Sequence, residues 1–367
     1  MSTATLMVIG IAIVLLAALA VYVASRMRAN KSTDPHAAKA QRVAAETDVP
    51  AIAEEHAVQA TPDLLAAAKH QYYSTAFGVT SIDDDVAGGH EQVVLEVERS
   101  LATSVEQDRH LPRRPMLIPQ LLRALNDAES TRAELAKIIL QDPVLAADVL
   151  KIANSPYYRV TREPVDSIDR AIVLLGTEGL KSVVAASILQ PVFRTAKGQF
   201  PAFAPTLWDL AMRTSTAAGI YAARTRIADP FTAQLLGLLS ALGPLAVFRV
   251  TSEAYLRHAQ VTPRAGAYIR LINEHADAAS MAIASHWELP ATFVLALSES
   301  RGSGQLGDMS PLGRVLEAGR CCALLSLAPA SNQRSIAANK AAMSMGLETT
   351  AFDAVWSALN AAKGNGR

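Results

Sequence analysis

Residues 142 to 156 read Asp142-Pro143-Val144-Leu145-Ala146-Ala147-Asp148-Val149-Leu150-Lys151-Ile152-Ala153-Asn154-Ser155-Pro156, a helix with its own start and stop. Asp142 can accept from the orphan amides of the first turn, and Pro143 suits that turn because its missing N–H has no partner there anyway. Leu145, Val149, Leu150 and Ile152 are the apolar positions of the run, and Pro156 prevents simple continuation. The same grammar repeats on both sides. Upstream, Leu117, Leu121, Leu122 and Leu125 follow helical spacing until Asn126-Asp127, and Ser130 or Thr131 can cap a helix carrying Leu135, Ile138 and Ile139. Downstream, Ser167 opens a helix with Ile168, Ala171, Ile172 and Leu175; Gly176 takes the left-handed closing position and Thr177 caps the next. The pattern predicts an all-α fold.

Composition agrees. Half of the 367 residues are hydrophobic, 5% are aromatic and 19% are charged, which suits helices packed on helices. Lys+Arg and Asp+Glu both number 34, so neither a basic surplus nor a basic stripe argues for nucleic acid. A helix-turn-helix reading of the Gly176 turn fails too: residues 178 to 189 are nearly all apolar, and a recognition helix needs polar side chains. The two cysteines, Cys321 and Cys322, are adjacent and point in different directions on a helix. They read as buried thiols in a reducing compartment.

Thr5 to Ser25 carries no charge, and about 20 helical residues span a hydrocarbon core. Arg26, Arg28 and Lys31 follow at once, which places the carboxyl side in the cytoplasm. Residues 5–25 are therefore expected to be a single-pass transmembrane helix. The alternatives are a cleaved signal peptide, with Ala18-Leu19-Ala20 as its small-residue site, and a buried core helix; the missing basic n-region and the long apolar core speak against the former.

Residues 26–107, interrupted by Pro35, Pro50 and Pro62, read as a juxtamembrane linker with weak helices at 62–77 and 90–106. Asp83-Asp84-Asp85 lacks the alternating ligands of a calcium loop and reads as a solvated turn. A dense helical domain is expected over 108–304 and a helical extension over 305–367, where Trp356 packs on the bundle.

The runs Leu111-Pro112-Arg113-Arg114-Pro115, Gln141-Asp142-Pro143, Asn154-Ser155-Pro156-Tyr157-Tyr158 and Ser167 to Gly176, with Leu180, together resemble the HDOD domain of bacterial signalling proteins. The likeness runs from near Asp108 to near Arg301. It implies a two-lobed helical domain whose second lobe is a divergent HD-type lobe, in which the metal ligands of HD phosphohydrolases are degraded. Asp142, Pro143, Asn154, Ser155, Tyr158, Gly176, Trp208, Trp287 and Pro290 are the family-motif positions, and the resemblance gives them a fold role.

The departures lie where the chemistry would be. Leu236-Gly237-Leu238-Leu239-Ser240-Ala241-Leu242-Gly243 matches the family's framing, with Ser240 and Ala241 in place of His-Asp. Leu210 and Ala211 stand where a His-Ser pair follows the Trp, Ala276 stands near another expected His, and Leu297-Ser298-Glu299-Ser300 replaces a closing His-His. An aliphatic side chain has no donor atom, and a neutral hydroxyl is a poor ligand.

None of the eight histidines compensates. His275 and His286 share a helix face but sit roughly 16 Å apart, too far for one ion. Ser240 lacks the spacing of a nucleophile elbow, and 176–179 and 302–307 lack the context of phosphate or dinucleotide loops. No catalytic residue, metal or cofactor is expected.

The resemblance and the apolar segment imply a non-catalytic signalling or scaffold protein of the bacterial inner membrane. Its carboxyl-terminal domain is expected to bind a cytoplasmic or membrane signalling protein, with no role for nucleic acid. A metal-dependent phosphohydrolase of nucleotides or cyclic dinucleotides and a nucleotide-sensing module are the alternatives.

Overall fold

The computed structural model describes residues 52–83, 87–107, 112–120, 143–158, 163–194, 198–299, 306–327 and 345–364, with a few isolated positions between. The chain divides into two units, Met1–His56 and Ala57–Arg367, and the second holds the helical domain. The apolar segment 5–25 lies outside the described residues, as does Asp142.

Among the described residues, eleven α-helices and no strand make the fold: α1 Ile52–Phe77, α2 Gly89–Gln107, α3 Pro143–Ala153, α4 Ile168–Leu189, α5 Phe203–Thr225, α6 Pro230–Leu239, α7 Leu242–Arg257, α8 Ala265–His286, α9 Ala291–Glu299, α10 Pro311–Leu327 and α11 Thr349–Gly364. The local signals act as chemistry requires. Pro143 is the first residue of α3. Ser167 accepts from the Arg170 amide at the start of α4, and Asp229 accepts from the Thr232 amide at the start of α6. Gly176 has φ 68° and ψ −176°, so it breaks α4 into two halves rather than taking the expected left-handed helical closure. Beyond it, every residue from Leu180 to Leu189 is buried, which is core packing and not a DNA-reading face.

α3 and the first half of α4 form one lobe. Asn154 fastens its loop: Nδ2 donates to Leu150 O (2.8 Å) and Val165 O (2.7 Å), and Val165 N–H donates to Oδ1 (2.8 Å). Ser155 follows in the same turn, its N–H donating to Ile152 O at 2.9 Å, and Tyr158 closes the turn onto Ser155 O at 3.2 Å. Burial pushes the Tyr158 phenol well above its ordinary range.

In the second lobe α5 is central, packed against α6, α10 and α11, while α7 lies along α8. Small residues set these distances. A Cβ on Gly237 would lie 2.7 Å from Ser215 Cα, and one on Gly243 would lie 2.0 Å from Ala276 O. The two glycines framing the Ser240-Ala241 pair are thus held by helix approach.

The described part of 26–107 is not a loose linker. Tyr72, Tyr73 and Phe77 of α1 and Val93, Val94 and Val97 of α2 are buried in the main core. Phe77 meets Phe203 at 5.2 Å and Tyr268 at 5.8 Å between ring centroids, and α2 packs on α7 and α8. The carboxyl-terminal helices join the same core: Phe352, Val355 and Leu359 are buried, and Trp356 stacks on Phe352. Cys321 and Cys322 are both buried free thiols, pushed upward by burial.

Two described stretches, Ile168–Phe193 and Pro230–Arg257, are long and apolar enough to cross a membrane by length and composition. In the second, 83% of the most apolar window is buried inside the domain, as in the core helix of a soluble protein.

Candidate functional site

Ser240 and Ala241 form the two-residue joint between α6 and α7, both in right-handed backbone and both buried. The joint lines a cavity of about 240 Å³ together with Leu210, Ala211 and Ala276. The five positions that the resemblance assigns to the lost ligand set therefore face one space, supplied by α5, the joint and α8. Their chemistry there is neutral. Ser240 Oγ donates back to Gly237 O at 2.8 Å, and Ser240 O accepts from Ser280 Oγ at 3.1 Å.

The polar lining comes from residues that no sequence motif marks. Tyr73 donates from its hydroxyl to Asn273 Oδ1 at 2.8 Å. Burial, then the nearby Asp277 charge, pushes that phenol well up. Arg320 Nη2 lies 3.3 Å from Asp277 Oδ1, and Lys69 Nζ stands 6.0 Å from the Tyr73 ring centre. Nearby Glu317 is raised by burial, against the pull of Arg320. The aromatic pair Tyr72-Tyr73 was the signal available in the sequence for α1. Asp277 and Arg320 carried none, because their meeting depends on α8 and α10 lying together.

These residues do not fit a catalytic divalent metal. An HD-type centre needs several imidazole or carboxylate ligands converging within about 2.0–2.3 Å of the ion. Among the described residues, Asp277 is the only such side chain lining the cavity, and a guanidinium already faces it. His275 sits within α8, on the helix that also carries His286, and does not line the cavity. Its Nε2 lies 4.0 Å from Glu98 and 3.9 Å from Glu274, so these three side chains, outside the cavity, bring one ligand atom each close enough together to hold a metal ion, while Arg270 also holds Glu274 at 3.1 Å. His286 is exposed.

The remaining motif positions are structural. Trp287 is fully buried, and its indole N–H donates to Pro112 O at 2.8 Å. Arg114 Nη1 donates to Trp287 O (2.6 Å) and pairs with Glu288 (3.0 Å). Glu288 takes φ 54°, Leu289 N–H reaches back to Ala284 O, and Pro290 leads into α9, so the Trp-Glu-Leu-Pro run is a helix stop and restart. Trp208 packs on Phe193 at 4.9 Å. One residue on, Asp209 accepts from Tyr157 Oη and from Arg213 Nε (2.8 Å), while Arg213 Nη1 reaches Ser326 Oγ (3.2 Å). This network joins the first lobe to α5 and α10.

Fold and site define an all-helical, two-lobed domain whose second lobe keeps a small cavity between α5, the α6–α7 joint and α8. The family description "HDOD domain" matches residues 111–301, more than half of the chain, and the chain belongs to that family. Among solved structures, an HDOD domain protein with unknown function from Geobacter sulfurreducens is 22% identical with a TM-score of 0.51, covering 74% of this chain and 98% of that one. A protein of Shewanella amazonensis SB2B named "Putative metal-dependent phosphohydrolase" is 18% identical with a TM-score of 0.53, covering 75% and 99%. Both likenesses concern the fold. An uncharacterized protein of Treponema pallidum (strain Nichols) is 24% identical over a 213-position alignment that covers 54% of this chain and 39% of that protein.

Proposed function

We propose that this chain is a non-catalytic, membrane-tethered regulator whose HDOD domain binds a signalling protein at the cytoplasmic face of a bacterial inner membrane. The observation that carries the proposal is the cavity: Leu210, Ala211, Ser240, Ala241 and Ala276 meet there and offer no set of ligands. The helices around it are retained at close approach, which suits a domain kept for its surface. Tethering rests on the uncharged stretch Thr5 to Ser25 and the basic residues after it. An anchor raises the local concentration of the domain near a membrane partner, so modest affinity suffices.

Crosslinking in native membranes, followed by identification of the bound proteins, tests the reading. A partner is expected that is captured by the full chain and lost when the domain's surface is altered while the anchor is kept. Capture by the anchor alone would overturn it. A reporter fused to the carboxyl terminus and active only outside the cytoplasm is expected to be silent.

A further inference from the structure

A second cavity, about 660 Å³, shares no lining residue with the first. Its size falls within the usual range of small-molecule sites, and its construction is also of that kind, with an apolar floor and a few convergent polar groups. Phe200, Phe248 and Tyr268 line it. Phe200 meets Tyr268 edge-on at 5.2 Å and 79°, and Phe248 meets Tyr268 at 5.2 Å.

The floor is set in place by the core behind it. Phe248 lies flat on Phe203 at 4.0 Å and 8°, and Tyr268 stacks on Tyr255 at 5.4 Å and 6°. The Tyr268 hydroxyl donates to Ser252 Oγ at 3.3 Å. A ligand therefore meets rings that need little reordering on binding.

The polar lining is cationic in balance. Arg194 and Arg249 stand against one carboxylate, Glu253. Arg249 Nη2 donates to the carbonyls of Val192 and Arg194 (3.0 Å to the latter), which fix the guanidinium, and Glu253 faces it electrostatically, so the exposed Arg194 carries the cationic surplus. Arg194 is exposed at the opening. Two guanidinium groups in a cavity that also presents aromatic rings match a ligand with a flat apolar body and an anionic head.

We infer that this cavity is a binding site for a small amphiphilic anion, its ring or acyl body on Phe200 and Phe248, with the buried Tyr268 ring behind them, and its carboxylate at Arg194 and Arg249. The site goes beyond the proposed partner-binding role and stands or falls independently of it.

The test uses the full chain in lipid nanodiscs, with empty nanodiscs as the blank for partition into lipid. The probes are 1-naphthoate and its neutral counterpart 1-naphthamide, followed by equilibrium dialysis. Naphthoate is expected to saturate at one equivalent and to bind about tenfold more tightly than the amide, the scale of one charge-assisted contact. Arg194→Gln is expected to bring naphthoate close to the amide. Ala259→Trp, at an exposed lining position, is expected to abolish binding of both. Thermal melts of the unliganded variants are expected to match the parent, since both positions are exposed. Absence of saturable naphthoate binding, equal affinity for the two probes, or unchanged binding by a folded Ala259→Trp chain would overturn the inference.

Discussion

The Tyr73 hydroxyl donates a hydrogen bond to Asn273 Oδ1, 2.8 Å away, across 200 positions of sequence. It places α1 over the cavity where HD-type chemistry would sit. A helix that composition assigns to a linker is thereby a wall of the domain, and its phenol lines the cavity beside Ser240 and Ala241.

Removing that hydroxyl is expected to weaken the domain. Tyr73→Phe loses the bond and leaves Asn273 Oδ1 without it, at a cost of about 1 kcal/mol. The full chain's urea midpoint is expected to fall while the slope of the transition stays constant. An unchanged midpoint would separate α1 from the stability of the domain.

Gly243 gives a sharper test of helix approach. A Cβ there would lie 2.0 Å from Ala276 O and 2.2 Å from Ser280 Oγ, so α7 and α8 must part. Gly243→Ala is expected to cost about 3 kcal/mol, at the upper end for overpacking. Gly307→Ala, where nothing lies within 4 Å, is the control and is expected to change stability by less than about 0.5 kcal/mol.

Restoring the lost dyad is expected to restore no metal centre. The double substitution Ser240→His with Ala241→Asp places an imidazole and a carboxylate at a buried joint, while Leu210, Ala211 and Ala276 still supply no further ligand and Asp277, the one other carboxylate lining the cavity, faces Arg320 at 3.3 Å. An unpaired buried carboxylate costs several kcal/mol, of order 3 or more. Elemental analysis is expected to find no stoichiometric manganese, and urea unfolding is expected to show the loss of stability.

Acid sensitivity should report the junction of α2 with the end of α7. Glu96 lies 2.5 Å from Arg257 Nε and 2.7 Å from His258 Nε2. Burial raises its carboxyl, but the hydrogen bonds from His258 and Arg257 outweigh that and hold it below its ordinary value of 4.5. A carboxyl depressed in the fold adds stability that is present above its ordinary value and is lost as pH falls through its folded value. The melting-temperature gap between the parent and Glu96→Gln is therefore expected to be open near neutrality and to close below about pH 4. A gap constant with pH would contradict this origin.

Much of the fold is legible locally because helix ends are local chemistry. Pro143 and Ser167 mark their helix starts within a few residues of sequence. Family likeness brought Leu210, Ala211, Ser240, Ala241 and Ala276 into one set, and the cavity shows them together. What escaped is long-range. Tyr73 finds Asn273, and Asp277 finds Arg320, only after the helices pack, and α1 hides its apolar contacts in an Ala-rich run. Ser240 and Ala241 lie inside the apolar run 236–243 and form the joint between two helices, a break that the run's composition does not mark.

The central claim is that the HDOD domain keeps the cavity and not the reaction. Its most direct test is turnover of a panel of nucleotides, cyclic dinucleotides and an aryl phosphate by the full chain with manganese, beside elemental analysis of the same sample. The account predicts no turnover above the metal-only blank and less than stoichiometric metal. A full equivalent of bound metal, with turnover lost in Asp277→Asn, would contradict it.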